Sequence, residues 1–194
     1  MSSASTSKTS QSALKKTVAG VFIVESLRID DEKEGRYEGR ILRDILTLSG
    51  KKTEYWYVRT WKELEEEIFQ RFWDSGLRYL HISCHGSADT IALTLDNVSF
   101  EKFGDGIREY LSERRLFMSA CEVVNQQFHD AVFPDSNCYS LIGPDEDIRF
   151  DDAVIIWASF YHLMLRDATS MKSADIRSTL QTLEKVFGQR FAYL

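Results

Sequence analysis

Long apolar runs are missing from this chain of 194 residues. No stretch approaches the roughly 20 consecutive apolar residues that a membrane-spanning helix needs, so no membrane partner is expected. Cysteine is scarce. Cys84, Cys121 and Cys138 are odd in number and lack paired spacing, which excludes a disulfide framework and points to a reducing cytosol. A basic excess is absent as well: 24 Lys+Arg stand against 30 Asp+Glu, a formal charge of −6. That balance argues against a general nucleic-acid binder, which would carry a basic face. No second Cys/His pair at finger spacing accompanies His81, Cys84 and His85. On a strand, His81 and His85 share a face while Cys84 points away, so no metal is expected. Gly104 and Gly106 lack the third glycine and the preceding strand of a dinucleotide site, and no cofactor is expected. No internal repeat is visible.

What is present supports a sizeable core, with 43% hydrophobic and 12% aromatic residues. Met1 to Lys16 is rich in Ser and Thr, contains no acid and has few apolar side chains. It is expected to be a disordered tail, lacking both the arginine of a transit peptide and the apolar centre of a secretory signal. Residues 17–194 then read as one domain.

From Val18 onward, strand-like and helix-like segments alternate. Val18 to Leu27 is an apolar, β-branched run suited to a strand buried on both faces, followed by a polar loop from Arg28 to Glu34. Tyr37 to Leu48 has helical spacing, with Gly50 beyond it as a C-cap. Thr53 to Val58 reads as the second strand, and Thr60 with Glu63 as a capping box for a helix reaching about Asp74. Leu77 to His85 reads as the third strand. A small hairpin near Thr90 to Phe100 and a helix over Phe100 to Leu111 come next. Arg115 to Ala120 is the fourth strand, Val123 to Phe133 a helix, and Cys138 to Ile142 the fifth strand. Asp151 or Asp152 would cap a strongly apolar helix through Leu165, and Ser173 a last one to Phe187, with no obvious final antiparallel strand. This alternation predicts an α/β fold, a mostly parallel sheet with helices on both faces. Ligands bind such sheets beyond the carboxyl ends of the strands, where His85 and Cys121 both fall.

A thiol attacks as its thiolate, and a neighbouring imidazole can remove the proton. His85 ends one strand and Cys121 follows another, so the sheet can set them side by side, and a helix beginning near Val123 would favour the anion. Gly86 lets backbone approach a substrate, and its amide with that of Cys121 would form an oxyanion hole. The plain alternative is a core thiol and a satisfied loop histidine. Acids cluster at Glu63 to Glu67 (a solvated helix face) and at Asp145 to Asp152, a polar loop with a helix cap whose spacing is not that of an EF-hand.

Leu80 to Gly86 (LHISCHG) and Leu116 to Cys121 (LFMSAC) resemble the two signature blocks of the CHAT subfamily of caspase-like, clan CD cysteine peptidases. Leu141 to Leu165 resembles the block that follows the catalytic cysteine in that family. The resemblance implies a caspase–hemoglobinase-like three-layer sandwich, with His85 as general base and Cys121 as nucleophile of a cysteine endopeptidase. It further implies a protein or peptide substrate and an upstream activating sensor, as in prokaryotic immune or stress effectors. Relatives specific for basic residues often carry an acid two positions before the cysteine, where this chain has Ser119. Ser83, two before His85, is the matching wall of the S1 pocket. Charge there would have to come from Glu25, favouring a basic P1 residue, or from Arg28, Arg36 or Arg40, favouring an acidic one. With both signs crowding that segment, a neutral pocket is expected. Two other classes remain open: a non-catalytic interaction domain of the same fold, and a doubly wound ligand-binding or signalling domain.

Overall fold

The computed structural model describes residues 17–166 and 170–194. The Ser/Thr-rich tail predicted to be disordered lies outside the described residues. The chain opens with β1 (Val18–Glu25), α1 (Ile29–Glu34), α2 (Glu38–Leu48) and β2 (Thr53–Tyr57). A helix follows as α3 (Trp61–Glu63), a π-helical turn over Leu64–Ile68 and α4 (Phe69–Ser75), and leads into β3 (Leu77–Ser83). Three short strands, β4 (His85–Gly86), β5 (Thr90–Ala92) and β6 (Asn97–Ser99), precede α5 (Phe100–Ile107) and β7 (Arg115–Ser119). The last elements are α6 (Gln126–Val132), β8 (Ser140–Pro144), α7 (Phe150–Leu165), α8 (Ser173–Phe187) and β9 (Phe191–Tyr193).

The main sheet runs β2-β1-β3-β7-β8-β9. Its first five strands are parallel, and β9 closes the far edge antiparallel to β8. Period-two alternation in β1 explains the two cores. Val21 and Ile23 face one way and pack with α2, α7 and α8. Phe22 and Val24 face the other way and pack with the α3–α4 helix, α5 and α6. Both sides of the strand are apolar because both are covered, the pattern of a parallel sheet between helical layers. The smaller sheet, β4-β5-β6, is antiparallel and hangs from the end of β3.

Several boundaries depart from the sequence reading for physical reasons. The expected polar loop after β1 contains α1, whose Glu32 accepts from the Tyr57 hydroxyl and from Arg59 Nη2 at 2.6 Å. The acids of Ile29–Glu34 suit a helical first turn, and only Asp31 among them is buried. The helix expected from Val123 starts at Gln126, where Asn125 Oδ1 caps Phe128 N at 3.0 Å. Neither Asp151 nor Asp152 is the cap of α7: Arg149 holds that position without a side-chain bond, and the two acids sit in the first turn. The same offset occurs at α8, where Lys172 is the N-cap and Ser173 the first helical residue. A final antiparallel strand does exist. The acids before α7 help to hold it, since Glu146 accepts from Arg190 N at 3.0 Å. The capping box of Thr60 and Glu63 is formed as its spacing predicts.

Glu25 ends β1 with no exposed surface. Its carboxyl accepts from Gly39 N at 2.7 Å, Arg40 N at 3.3 Å and the Tyr55 hydroxyl at 2.8 Å. Burial outweighs these bonds and pushes its pKa from 4.5 up to about 7. A raised value in the folded chain means that the native state keeps a proton which the unfolded chain has released. The stability from this group is therefore complete below pH 4.5 and lost as the pH rises to about 7. The shift corresponds to about 3 kcal/mol. Glu25→Gln removes the titration, so its stability relative to wild type should improve by about that amount between pH 4.5 and 8 in urea unfolding. Parallel stability curves for the two proteins would show that Glu25 does not titrate in this range.

Candidate active site

The positions of His85 and Cys121 follow from strand register. β3 and β7 are parallel neighbours in which Ser83 pairs with Ser119. Each candidate residue stands two positions past its paired serine, and Cys84 N still donates to Ser119 O at 3.1 Å. The two chains thus leave the sheet together at its carboxyl edge. His85 and Cys121 line one small cavity of about 80 Å³ with Ser119, Ala120, Ile148 and Phe150.

Close approach of the two loops depends on Gly86. A Cβ there would come within 2.3 Å of Val123 Cγ2 and 3.2 Å of the Cys121 carbonyl oxygen. Any larger residue would push the cysteine loop away from the histidine strand. Asn125 adds a tie, its Nδ2 donating to Ala88 O at 2.9 Å. Between Cys121 and that cap, Glu122 takes a positive φ of 56°, a strained conformation for a side chain that long.

Asp31, which the sequence reading missed, holds the imidazole. His85 Nε2 lies 2.7 Å from Asp31 Oδ2, and Asp31 Oδ1 accepts from Arg36 Nη1 at 3.1 Å. A carboxylate acceptor puts the proton on Nε2 and leaves Nδ1 as the basic nitrogen. Phe150 packs edge-on against the ring, with centroids 5.3 Å apart. The available signal was an acid in the segment after β1, beside the histidine strand; three consecutive acids hid which one turns inward.

The thiol is partly enclosed. Cys121 Sγ accepts from Ile148 N–H at 3.5 Å and lies 3.7 Å from Ile148 O, so the segment before α7 brackets the sulfur. Burial pushes the Cys121 thiol up, the Ile148 amide opposes that, and the Asp147 carboxylate adds to the rise. α6 starts too late to favour the thiolate as the sequence reading expected. The resting group is therefore a thiol that needs a base.

The other predicted residues fall in distinct places. Ser119 is buried in the cavity wall with its hydroxyl unbonded. Ser83 is also buried, and its Oγ donates to Glu38 Oε2 at 2.9 Å. Glu25 does not line the cleft, because the start of α2 and Tyr55 occupy its carboxyl. Arg28 sits exposed at the N-cap of α1, away from the cavity, and Arg40 is exposed on α2. Arg36 lines a larger neighbouring cavity of about 540 Å³. Glu38 belongs to the walls of both cavities. His81 is fully buried with Nδ1 3.1 Å from the Tyr161 hydroxyl, and burial raises the enclosed Cys84 thiol strongly.

No family model matches the chain, and no curated protein matches it in sequence. Solved structures do. A secreted C11 cysteine protease from Bacteroides thetaiotaomicron, "iotapain", is similar with a TM-score of 0.63 at 11% identity, over 92% of this chain and 66% of that one. The chain thus spans just under two thirds of that protease. Pro-sf-caspase-1 is similar with a TM-score of 0.60 at 10% identity, over 92% of this chain and 87% of its own. The fold is caspase-like, a mostly parallel sheet between helices as the sequence reading expected.

The state of the thiol is open to direct measurement. Iodoacetamide alkylation of Cys121, followed by peptide mass spectrometry, should rise with a midpoint above the ordinary value of 9.0. A rate already at its plateau near neutral pH would mean a preformed thiolate and overturn this description.

Proposed function

We propose that the chain is a cysteine endopeptidase working through a His85–Cys121 dyad. The observation that carries the reading is that neighbouring parallel strands deliver an imidazole and a thiol to one cavity, with a buried carboxylate on the imidazole. A lone buried cysteine needs no such arrangement.

When a peptide carbonyl enters the cleft, His85 takes the thiol proton and Cys121 sulfur attacks the carbonyl carbon. The Gly86 and Cys121 amides hold the oxyanion, His85 returns the proton to the leaving amine, and water hydrolyses the acyl-enzyme. Asp31 is a positioning residue that keeps the ring in one tautomer and stabilises the imidazolium as it forms. The caspase-like fold and the two sequence blocks support assignment to the clan CD peptidases, with the CHAT subfamily as the finer reading. On that reading the protein is a cytoplasmic, regulated effector in a prokaryotic immune or stress system, activated by a sensor protein. The bracketed thiol fits such control, since activation would have to draw Ile148 away from the sulfur. The same bracket favours a second reading, a non-catalytic interaction domain that keeps the fold.

An active-site-directed thiol probe and a casein or peptide-library assay separate the two. Cys121→Ala and His85→Ala should each lower cleavage by on the order of 10⁴-fold, and the double variant should be little worse than either. Wild-type cleavage that survives Cys121→Ala would refute the nucleophile. Asp31→Asn should reduce kcat by roughly 100-fold or more with KM nearly unchanged, because it disturbs the tautomer and leaves the substrate contacts in place. A change in KM alone would remove Asp31 from the mechanism.

A further inference from the structure

Glu38 carries an imbalance that the fold does not resolve. It is the first residue of α2, only 2% exposed, and its carboxyl reaches back toward the end of β3. Oε2 accepts from Ser83 Oγ at 2.9 Å, but Oε1 is buried and accepts no hydrogen bond. His81 Nε2 lies 3.6 Å from Oε1, beyond hydrogen-bond distance and itself without a hydrogen-bond partner. A buried carboxyl with one short bond is costly unless a donor or a cation completes it. In this protein the missing partner can arrive through the cleft, because Glu38 and Phe150 form the wall shared by the small cavity at Cys121 and the cavity of about 540 Å³ beside it.

The larger cavity suits a long cationic side chain. Ile41, Phe150 and Val154 provide apolar walls for a methylene stem. Asp151 also lines the cavity, with its charge balanced by Arg149. The two arginines there are already engaged: Arg36 with Asp31 at 3.1 Å and with Glu34, and Arg149 with Asp151 at 2.9 Å. A guanidinium has five donors and pairs with a carboxylate in two parallel bonds, which would satisfy the unbonded oxygen.

We propose that Glu38 is the specificity-determining residue of the cleft and selects peptides with Arg, or Lys, at the P1 position. This rests on the peptidase reading above and replaces the neutral pocket expected from sequence. The acid comes from the start of α2 and not from the position two before the cysteine, where Ser119 stands. Ser119 lines the small cavity together with Glu38, and Ser83 holds the Glu38 carboxyl from the neighbouring strand.

Two measurements separate this assignment from the peptidase reading. The first is calorimetric binding of agmatine, arginine without its carboxyl group, to the Cys121→Ala protein. Agmatine should bind, and Glu38→Gln in that background should weaken it by roughly 100-fold or more. Glu38→Asp keeps the charge on a shorter stem and should bind with intermediate affinity, which secures the test should the Gln variant fold poorly. The second uses peptidyl acyloxymethyl ketones with Arg, Leu or Asp at P1, where the Cys121 thiolate forms a thioether and a carboxylate departs. The Arg probe should label the wild type at least about tenfold faster than the others, and Glu38→Gln should bring that ratio close to unity. Labelling that favours Asp or Leu, or an Arg preference that survives Glu38→Gln, overturns the Glu38 assignment and leaves the peptidase standing. Agmatine binding that depends on Glu38, without labelling by any probe, keeps the cation pocket and refutes the peptidase. Neither binding nor labelling overturns both, and Glu38 is then only the buried neighbour of His81.

Discussion

The parallel pairing of β3 with β7, ending at Ser83 opposite Ser119, is the constraint on which the rest of the molecule depends. A parallel pair cannot be joined by a tight turn, so the chain between these strands must cross over, here through the β4-β5-β6 sheet and α5. That crossover buries its own apolar residues, Ile91, Val98, Phe100 and Phe103, in the core on one face. Because the strands leave the sheet in register, the residues just beyond them are brought together whatever those residues are. A one-residue slip would turn the side chains of a whole strand to the other face and drive His81 and Ser83 of β3 into the apolar cluster that holds Leu80 and Ile82.

Buried polar groups sit at both ends of the sheet. Arg114, Arg115 and Ser140 are buried where β7 and β8 begin, and Glu25, Glu38, Ser83 and His81 toward the carboxyl edge. Glu25 is satisfied by the first amides of α2 and by Tyr55, and so acts as an anchor for that helix. Glu38, thirteen residues further along, is held by the same helix but is left incompletely bonded. Two buried carboxyls at one helix start thus do different jobs, and the difference lies in their remaining partners.

The resting thiol and the ordered histidine also form a contrast. His85 is set by Asp31 and Phe150, so the imidazole is held in one orientation. Cys121 is half-enclosed by the Ile148 backbone, and burial keeps its proton on. An ordered imidazole thus lines one cavity with a thiol that is covered by the short connection between β8 and α7. That connection is short, acidic and tied to the far edge of the sheet through Arg190.

Local pattern was enough to make the β/α alternation legible, because strands covered on both faces must be apolar throughout and helices must show one apolar stripe. The strand ends at His85 and Cys121 were legible too, since Gly86 and the short apolar runs before both residues mark where the chain leaves the sheet. Side-chain identity in a local window carries no information about long-range partners, and there the sequence reading stopped. It put a loop where α1 carries Asp31 to His85, 54 residues away. It weighed Glu25 against Arg28, Arg36 and Arg40 as a source of charge for the cleft and did not consider Glu38, whereas strand and helix geometry turn Glu25 into the α2 anchor and bring Glu38 to the cavity wall. The sequence by itself determined which residues could do chemistry and which strands would carry them. Only the tertiary structure decided which carboxyl meets the imidazole, which one faces the cleft and what covers the thiol, because those choices depend on how helices and loops far apart in the chain pack against one sheet edge.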